Sequence, residues 1–336
     1  LLVPRHSKIS SRTIPNLSTR ATKNFKIDIP VISANMDTIT ETEMACTIAR
    51  LGGLGILHRF MSIEEQLDQV KLVRKYLEDN KISSKAIAAS IGVKKGGEER
   101  ANALADAGVN ILTVDIAHGD SVMMLDTLEY VKKTFPHIDV IAGNVATPDG
   151  VQRMIDLGAD AIKVGIGPGS MCTTRIITGH GVPQLTAIAM CVQVASKHGV
   201  PVIADGGIKT SGDAVKALAA GASSVMVGSM VAGTLETPGE LKGGKKAYRG
   251  MASKAAQVSW RGEMPEGMAA EGESTYIPCK GSVENVLREL TGGIRSGMTY
   301  LGVDNISAMA ENSLYMEMTA SGMTESRPHG VRPQEV

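Results

Sequence analysis

At 336 residues the chain exceeds a typical domain but has room for one barrel of roughly 250 residues plus insertions. Acids and bases balance at 35 each, so charge supplies no pull toward nucleic acid or anionic lipid. No apolar run approaches the roughly 18 residues of a membrane span, the start LLVPRHSKISSRT lacks a signal-peptide core, and Cys46, Cys172, Cys191 and Cys279 form no CxxC pair, so a cytoplasmic protein without membrane, disulfide framework or zinc site is expected.

Taken in chain order, short runs rich in Val, Ile and Ala recur: VISAN (31–35), LGILH (54–58), AIAASIG (86–92), ILTVDIA (111–117), HIDVIAGN (137–144), AIKVGIG (161–167), VPVIADG (200–206) and SSVMVGS (223–229). Between them lie segments such as SIEEQLDQVKLVRKYLED, SVMMLDTLEYVKKTF and PQLTAIAMCVQVASKHG, apolar at spacings of three and four with charge on the opposite face. Strands alternating with helices at this rhythm predict parallel β/α units of the α/β class. Eight units fit a closed (β/α)8 TIM barrel better than an open doubly wound sheet. One catalytic barrel over 1–336 is the expected organisation.

After the eighth strand the rhythm breaks. Residues 241–281 are polar and rich in Gly, Met and Glu, an excursion over the barrel mouth that reads as an active-site lid or a linker. The tail from Ser313 reads as a subunit-contact or ion-site segment, or as a frayed end.

Active sites of such barrels form where the strands end. After the sixth strand comes GIGPGSMCTTR, a glycine-spaced loop whose backbone can approach a ligand or cation and which carries Cys172 at its tip. Cys46 and Cys191 sit in amphipathic helical patterns and read as small buried hydrophobes. Cys172 lies in a polar loop where a thiolate nucleophile is useful. After the seventh and eighth strands, ADGGIKTSGDA and VGSM lead into helices, the usual place of a barrel phosphate site. Asp205 would repel phosphate and suits ribose hydroxyls instead. Asp115, Gly143 and Asn144 line the opposite side, where a second ligand fits. His118 reads as a hydrogen-bonding loop residue rather than a base. Of His58 and Arg59, Arg59 is the better ligand contact because its charge is permanent.

The cysteine loop, together with SANMDT, AGNVAT, IADGGIKTSGD, VMVGSM, YRGMAS and GGIRSGMTYLG, resembles the family of IMP dehydrogenases and GMP reductases over essentially the whole chain. That resemblance implies a cysteine that attacks C2 of a purine nucleotide to form a thioimidate, with hydride moving between that carbon and a nicotinamide. Three features are similar to the reductase branch. Only NKISSK connects Asp79 to Ala86, where dehydrogenases usually carry regulatory CBS modules. The lid contains Trp260 and Arg261 but no Arg-Tyr dipeptide of the kind that activates water in dehydrogenases. Asn35 in SANMDT is the reductase-like choice. The tail TASGMTESRPHG and Ser229 resemble dehydrogenases, and Gly267 and Met268 stand where reductases carry Tyr-Arg.

The resemblance therefore implies an NADPH-dependent GMP reductase, with a CBS-free, NAD-dependent IMP dehydrogenase as the alternative and a nucleotide-binding scaffold as the non-enzymatic one. It implies catalysis by Cys172, Thr174 and Glu271. Substrate contacts are implied at Ser170, Asp205, Gly206, Gly207, Gly228, Ser229, Gly250, Met251, Ala252 and Gly272. Ser11, Arg12, Arg59, Asp115, Ile116, Ala117, Ile166 and Gly167 match cofactor positions, and Arg12 and Arg59 offer charge for a 2′-phosphate. Gly167, Gly169, Cys172 and Arg175 match a potassium site. A homotetramer acting on GMP or IMP is the expected assembly.

Overall fold

The structure is a computed structural model that describes residues 1–82, 86–264 and 266–327. Eight parallel strands close a barrel: β1 (Val31–Ser33), β2 (Leu54–Leu57), β3 (Ala88–Ile91), β4 (Ile111–Asp115), β5 (Asp139–Val145), β6 (Ala161–Val164), β7 (Val202–Asp205) and β8 (Ser224–Val227). Closure is made by β8 on β1, with Val225 opposite Val31 and Val227 opposite Ser33. Each strand falls on one of the eight apolar runs, with β5 alone extending one residue past its run, to Val145. Seven are buried throughout their length or at all but one position; β7 is buried except at Asp205, which turns toward the mouth. Such continuous burial is what parallel strands with helices outside them require.

The helical units follow the expected spacing: α1 (Thr42–Arg50), α2 (Ile63–Asp79), α3 (Lys94–Asp106), α4 (Val122–Thr134), α5 (Pro148–Asp156), α6 (Gln184–Ala195) and α7 (Ser211–Ala219). Local chemistry sets their starts. Ser62 and Glu65 form a reciprocal cap on α2, as do Thr210 and Asp213 on α7. Thr147 caps α5 ahead of Pro148, whose missing N–H is harmless in the first turn. Cys46 in α1 and Cys191 in α6 are buried as expected, and burial pushes their thiols up to about 11 and about 12.

The polar excursion is more ordered than its composition suggests. Strand β9 (Lys245–Arg249) pairs antiparallel with β10 (Ser274–Pro278), and helix α8 (Lys254–Arg261) lies between them, capped by Ser253. Buried Lys246 fixes the base of this ribbon by donating to the carbonyls of Leu235 and Thr237 at 2.7 and 2.6 Å. The final long helix, α9 (Val283–Leu301), packs on α7. The tail is not frayed where it leaves the barrel: Val3 N–H donates to the Leu314 carbonyl at 2.9 Å and Met316 N–H to the Leu1 carbonyl at 2.8 Å, pairing residues 1–3 with 314–316. The NKISSK connection falls partly on residues 83–85, and the end of the tail on 328–336, both outside the described residues. Among the described residues no helix is long and apolar enough to cross a membrane.

Candidate active site

A cavity of about 870 Å³ opens at the C-terminal ends of the barrel strands and is roofed by the β9–β10 flap. Its floor is set by close contact between two loops. The glycine loop after β6 crosses the end of β7 so tightly that a Cβ on Gly165, at φ +153°, would lie 2.0 Å from the Asp205 carbonyl oxygen. A Cβ on Gly206, at φ +93°, would meet the Pro168 ring at 2.8 Å. These two positions need glycine for space and for backbone conformation together.

The glycine loop delivers Cys172, partly exposed, into the cavity. Its thiol donates to Thr174 Oγ1 at 3.1 Å, and that hydroxyl donates to Glu271 Oε2 at 2.8 Å. The main chain reinforces the contact. Thr173 N–H donates to the Glu271 carbonyl at 3.0 Å, Glu273 N–H to the Met171 carbonyl at 2.9 Å, and Cys172 bridges to Gly272. The flap is thus stitched to the cysteine loop, which places a carboxylate two hydrogen bonds from sulfur. That chain can carry a proton between Glu271 and an atom bound beside Cys172.

The other wall belongs to β7, β8 and the flap. Asp205 ends β7, Gly206 and Gly207 follow it, and Gly228 and Ser229 follow β8; all line the cavity. Ser170 shares a 2.8 Å hydrogen bond with the Tyr248 hydroxyl, and Tyr248, buried on the flap, is pushed above the usual phenol range by desolvation. Gly250, Met251 and Ala252 continue this wall toward α8, where Gln257 donates to the Met251 carbonyl at 2.8 Å.

Between the two walls sits a charged cluster. Lys163 lies on β6, 3% exposed, with its ammonium 2.7 Å from Asp115 Oδ1 and 2.8 Å from Asp205 Oδ2. It also donates to Asn144 Oδ1, while Asn144 Nδ2 donates to Asp205 at 2.9 Å and to the Gly165 carbonyl at 2.7 Å. Burial disfavours every charge here, but the attraction wins: Asp115 is held below the usual carboxylate range and Lys163 above the usual ammonium range.

Beyond Asp115 the cavity continues past Ile116, Ala117 and Arg59. Arg59 Nε is buried without a hydrogen-bond partner, and its guanidinium lies 4.6 Å from the Phe60 ring centroid. Burial lowers its pKa, opposed by Asp115 and assisted by Arg261. Phe60 in turn meets Trp260 of α8 edge to face at 5.8 Å, so the flap rests on this end of the cavity.

The structure gathers most of the expected residues into one cavity: Cys172, Thr174, Glu271, Ser170, Asp205, the glycines of the β6, β7 and β8 loops, Met251, Ala252, Ile166, Asp115 and Arg59. It leaves others off the cavity wall. Ser11 and Arg12 are exposed, with Ser11 bonded to Thr13 at 2.8 Å. Arg175 packs against Gly167 and Gly181 and donates to the Val182 carbonyl at 2.6 Å. Gly272 contributes through its pairing with Cys172. His58 is buried, bonded to Glu41 at 3.0 Å and accepting from Phe60 N–H at 3.1 Å, which makes it a structural residue. Lys163, Tyr248 and Gln257 escaped the sequence reading. Lys163 left a signal, a lone charge inside the apolar run AIKVGIG, and Tyr248 another, as the first residue of YRGMAS; Gln257 left none.

Comparison with known proteins adds an independent observation. Residues 1–329 match the model of the IMP dehydrogenase / GMP reductase domain. Inosine-5′-monophosphate dehydrogenase of Cryptosporidium parvum is 44% identical over 378 residues, covering 98% of this chain and 94% of that protein. GMP reductase of Leishmania major is 34% identical over 471 residues, covering 98% and 96%. A variant of GMP reductase from Trypanosoma brucei, solved in complex with guanosine 5′-monophosphate, superposes with a TM-score of 0.91 at 31% identity, covering 99% of this chain and 97% of that one.

Proposed function

The chain belongs to the family of IMP dehydrogenases and GMP reductases, a family of oxidoreductases that use nicotinamide cofactors, and from that premise we propose that it is a GMP reductase converting GMP to IMP and ammonia. The observation that carries this reading is the chain from Cys172 Sγ through Thr174 Oγ1 to Glu271 Oε2, at 3.1 and 2.8 Å. Reductive deamination must expel an amine, a poor leaving group until it is protonated. A carboxylic acid relayed to the nucleophile supplies that proton. The oxidative reading needs a flap group that activates water, and the flap carries Trp260-Arg261 without an Arg-Tyr dipeptide.

In this mechanism the Cys172 thiol proton passes through Thr174 Oγ1 to the Glu271 carboxylate as Sγ bonds to C2 of GMP and the C2–N3 π bond opens onto N3. Glu271, through Thr174, protonates the exocyclic amine, the C2–N bond breaks, and ammonia leaves a thioimidate on Cys172. When bound, the dinucleotide is the source of the hydride that C2 receives. The C2–S bond then breaks and Cys172 recovers its thiolate as IMP departs. Asp205 holds the ribose, and Gly206, Gly207, Gly228 and Ser229 surround the 5′-phosphate with backbone amides. The backbone of Gly250, Met251 and Ala252 meets the purine edge, and the closed flap excludes water from the thioimidate.

The residues fit a phosphorylated dinucleotide, because a buried guanidinium with an unpartnered Nε, Arg59, faces the half of the cavity beyond Asp115. Arg59, Asp115, Ile116, Ala117 and Ile166 would hold it, and NADPH suits the positive charge of Arg59. Carbonyls of Gly167, Gly169 and Cys172 would hold potassium, with Arg175 packed behind Gly167; among the described residues no group of His, Cys, Asp and Glu offers a metal site of another kind. A homotetramer is the assembly proposed.

The test is absorbance at 340 nm, with GMP plus NADPH in one cuvette and IMP plus NAD and potassium in another. Loss of absorbance with ammonia release in the first, and no change in the second, is the expected result. A rise in the second alone establishes the dehydrogenase instead, with Arg261 the first residue to test as its water-activating group.

A further inference from the structure

Lys163 occupies a position that none of the roles above explains. It is a buried cation on β6 serving two carboxylates that come from different strands and face different halves of the cavity. Asp205 closes β7 on the side of the cysteine and the β7 and β8 loops, whereas Asp115 closes β4 toward Arg59. Both carboxylate oxygens lie within 3 Å of one nitrogen, close enough for strong mutual repulsion were that nitrogen absent. Such a pair without its cation relieves the repulsion by taking up a proton on one member. A carboxyl that has taken a proton is a poorer acceptor for ligand hydroxyls.

We propose that Lys163 is a positioning residue that couples the two halves of the cavity: its single ammonium keeps Asp205 and Asp115 charged, separated in role and aimed at their respective ligands. The surroundings decide which carboxylate depends on it more. Asp115 has a second cation, Arg59 from the end of β2, and a neighbouring amide, Asn35 from the end of β1. Asp205 faces neutral groups otherwise, the Asn144 amide of β5 and the Tyr248 phenol of the flap. Loss of Lys163 therefore falls first on Asp205, and the predicted defect is in nucleotide binding, although Lys163 itself is nearly inaccessible to ligand.

This inference rests on the reading that a purine nucleotide places its ribose at Asp205. It is tested by calorimetric titration of GMP, and in parallel IMP, into the full chain without dinucleotide, so it does not depend on which direction the enzyme runs. The wild-type affinity is expected to be flat from about pH 6 to about pH 8. Lys163→Met should weaken binding roughly tenfold or more, with the loss larger at about pH 6 than at about pH 8, because low pH favours the protonated carboxyl of a pair that has lost its cation. Adding Asp115→Asn to Lys163→Met removes the repelling charge and should restore much of the affinity and flatten the profile. Lys163→Arg should bind like the wild type.

Wild-type binding by Lys163→Met, or a loss equal at every pH that Asp115→Asn does not repair, overturns the proposal. Should Lys163→Met fail to fold, folding and GMP binding by the double variant still support it. Failure of both to fold overturns it, because the ammonium would then serve the core rather than charge balance. A dehydrogenase would bind IMP normally while failing the reductase assay, so that outcome leaves the Lys163 test standing. Absence of binding by both nucleotides to the wild type removes the premise and the proposal together.

Discussion

Thr174 and Glu271 meet across the seam between the cysteine loop and the flap, 97 residues apart in sequence and 2.8 Å apart in space. The same Glu271 accepts Thr173 N–H through its carbonyl at 3.0 Å, so side chain and backbone fix one register. The proposed proton relay and the seating of the flap on the cysteine loop therefore depend on the same residue.

Glu271→Gln keeps the backbone stitch and removes the proton. We expect kcat to fall about 10²- to 10⁴-fold, the range of a lost general acid, with little change in KM for GMP. Thr174→Val should behave alike, because a methyl cannot relay. Steady-state kinetics on both variants make the check, and a purely KM-borne defect would count against the relay.

Alkylation should distinguish Cys172 from the two buried thiols. Cys46 and Cys191 are buried and pushed up to about 11 and about 12, so near neutral pH they are protonated as well as shielded. Brief iodoacetamide treatment followed by peptide mass spectrometry should modify Cys172 and leave those two untouched. Prior saturation with GMP should protect Cys172. Labelling of Cys191 at a comparable rate would mean that α6 opens far more readily than its packing implies.

Gly165→Ala tests the contact between the β6 loop and β7. The new Cβ would be placed 2.0 Å from the Asp205 carbonyl, at a backbone φ of +153° that alanine avoids. The loop must move, and we expect a loss of about 2 kcal/mol or more of stability together with displaced Cys172. Thermal melts and activity should both decline; a variant with wild-type melting temperature and turnover would contradict the close approach.

The charged cluster predicts a stability plateau. Burial opposes ionisation of Asp115, but Lys163 outweighs it and depresses the carboxyl. Its contribution is present above the unfolded value of about 3.9 and is lost as pH falls through the lower folded one. For Lys163, burial is outweighed by Asp115 and Asp205, and the ammonium is raised. Its contribution is complete below the unfolded value of about 10.4 and is lost as pH rises through the higher folded one. Asp115→Asn should therefore cost about 1 to 3 kcal/mol, less than a fully broken buried pair because Asp205 still holds the ammonium. In denaturant titrations that deficit should be steady between about pH 5 and about pH 9 and shrink below about pH 4.

The barrel was legible because strand and helix are local in period. Runs such as ILTVDIA and AIKVGIG can be buried on both faces only in a parallel sheet covered by helices, and the capping pairs Ser62 with Glu65 and Thr210 with Asp213 sit within four residues of each other. The flap was legible as an insertion but not as a β-ribbon. Lys246 and Ile277 belong to strands that meet only after the chain has travelled through α8, and their alternation is too short to declare itself.

The sequence by itself determined the barrel, the glycine loop that carries Cys172 into the cavity and the loops that gather around it, since each depends on short-range pattern and on the fixed geometry of strand ends. Tertiary structure decided the rest. That Glu271 reaches Thr174, that Lys163 serves Asp115 and Asp205 at once, and that Trp260 rests on Phe60 follow from strands closing in a circle and a flap folding back over it. Charge pairs and lid contacts join residues far apart along the chain, and their energies depend on distance and burial, which only the closed barrel supplies.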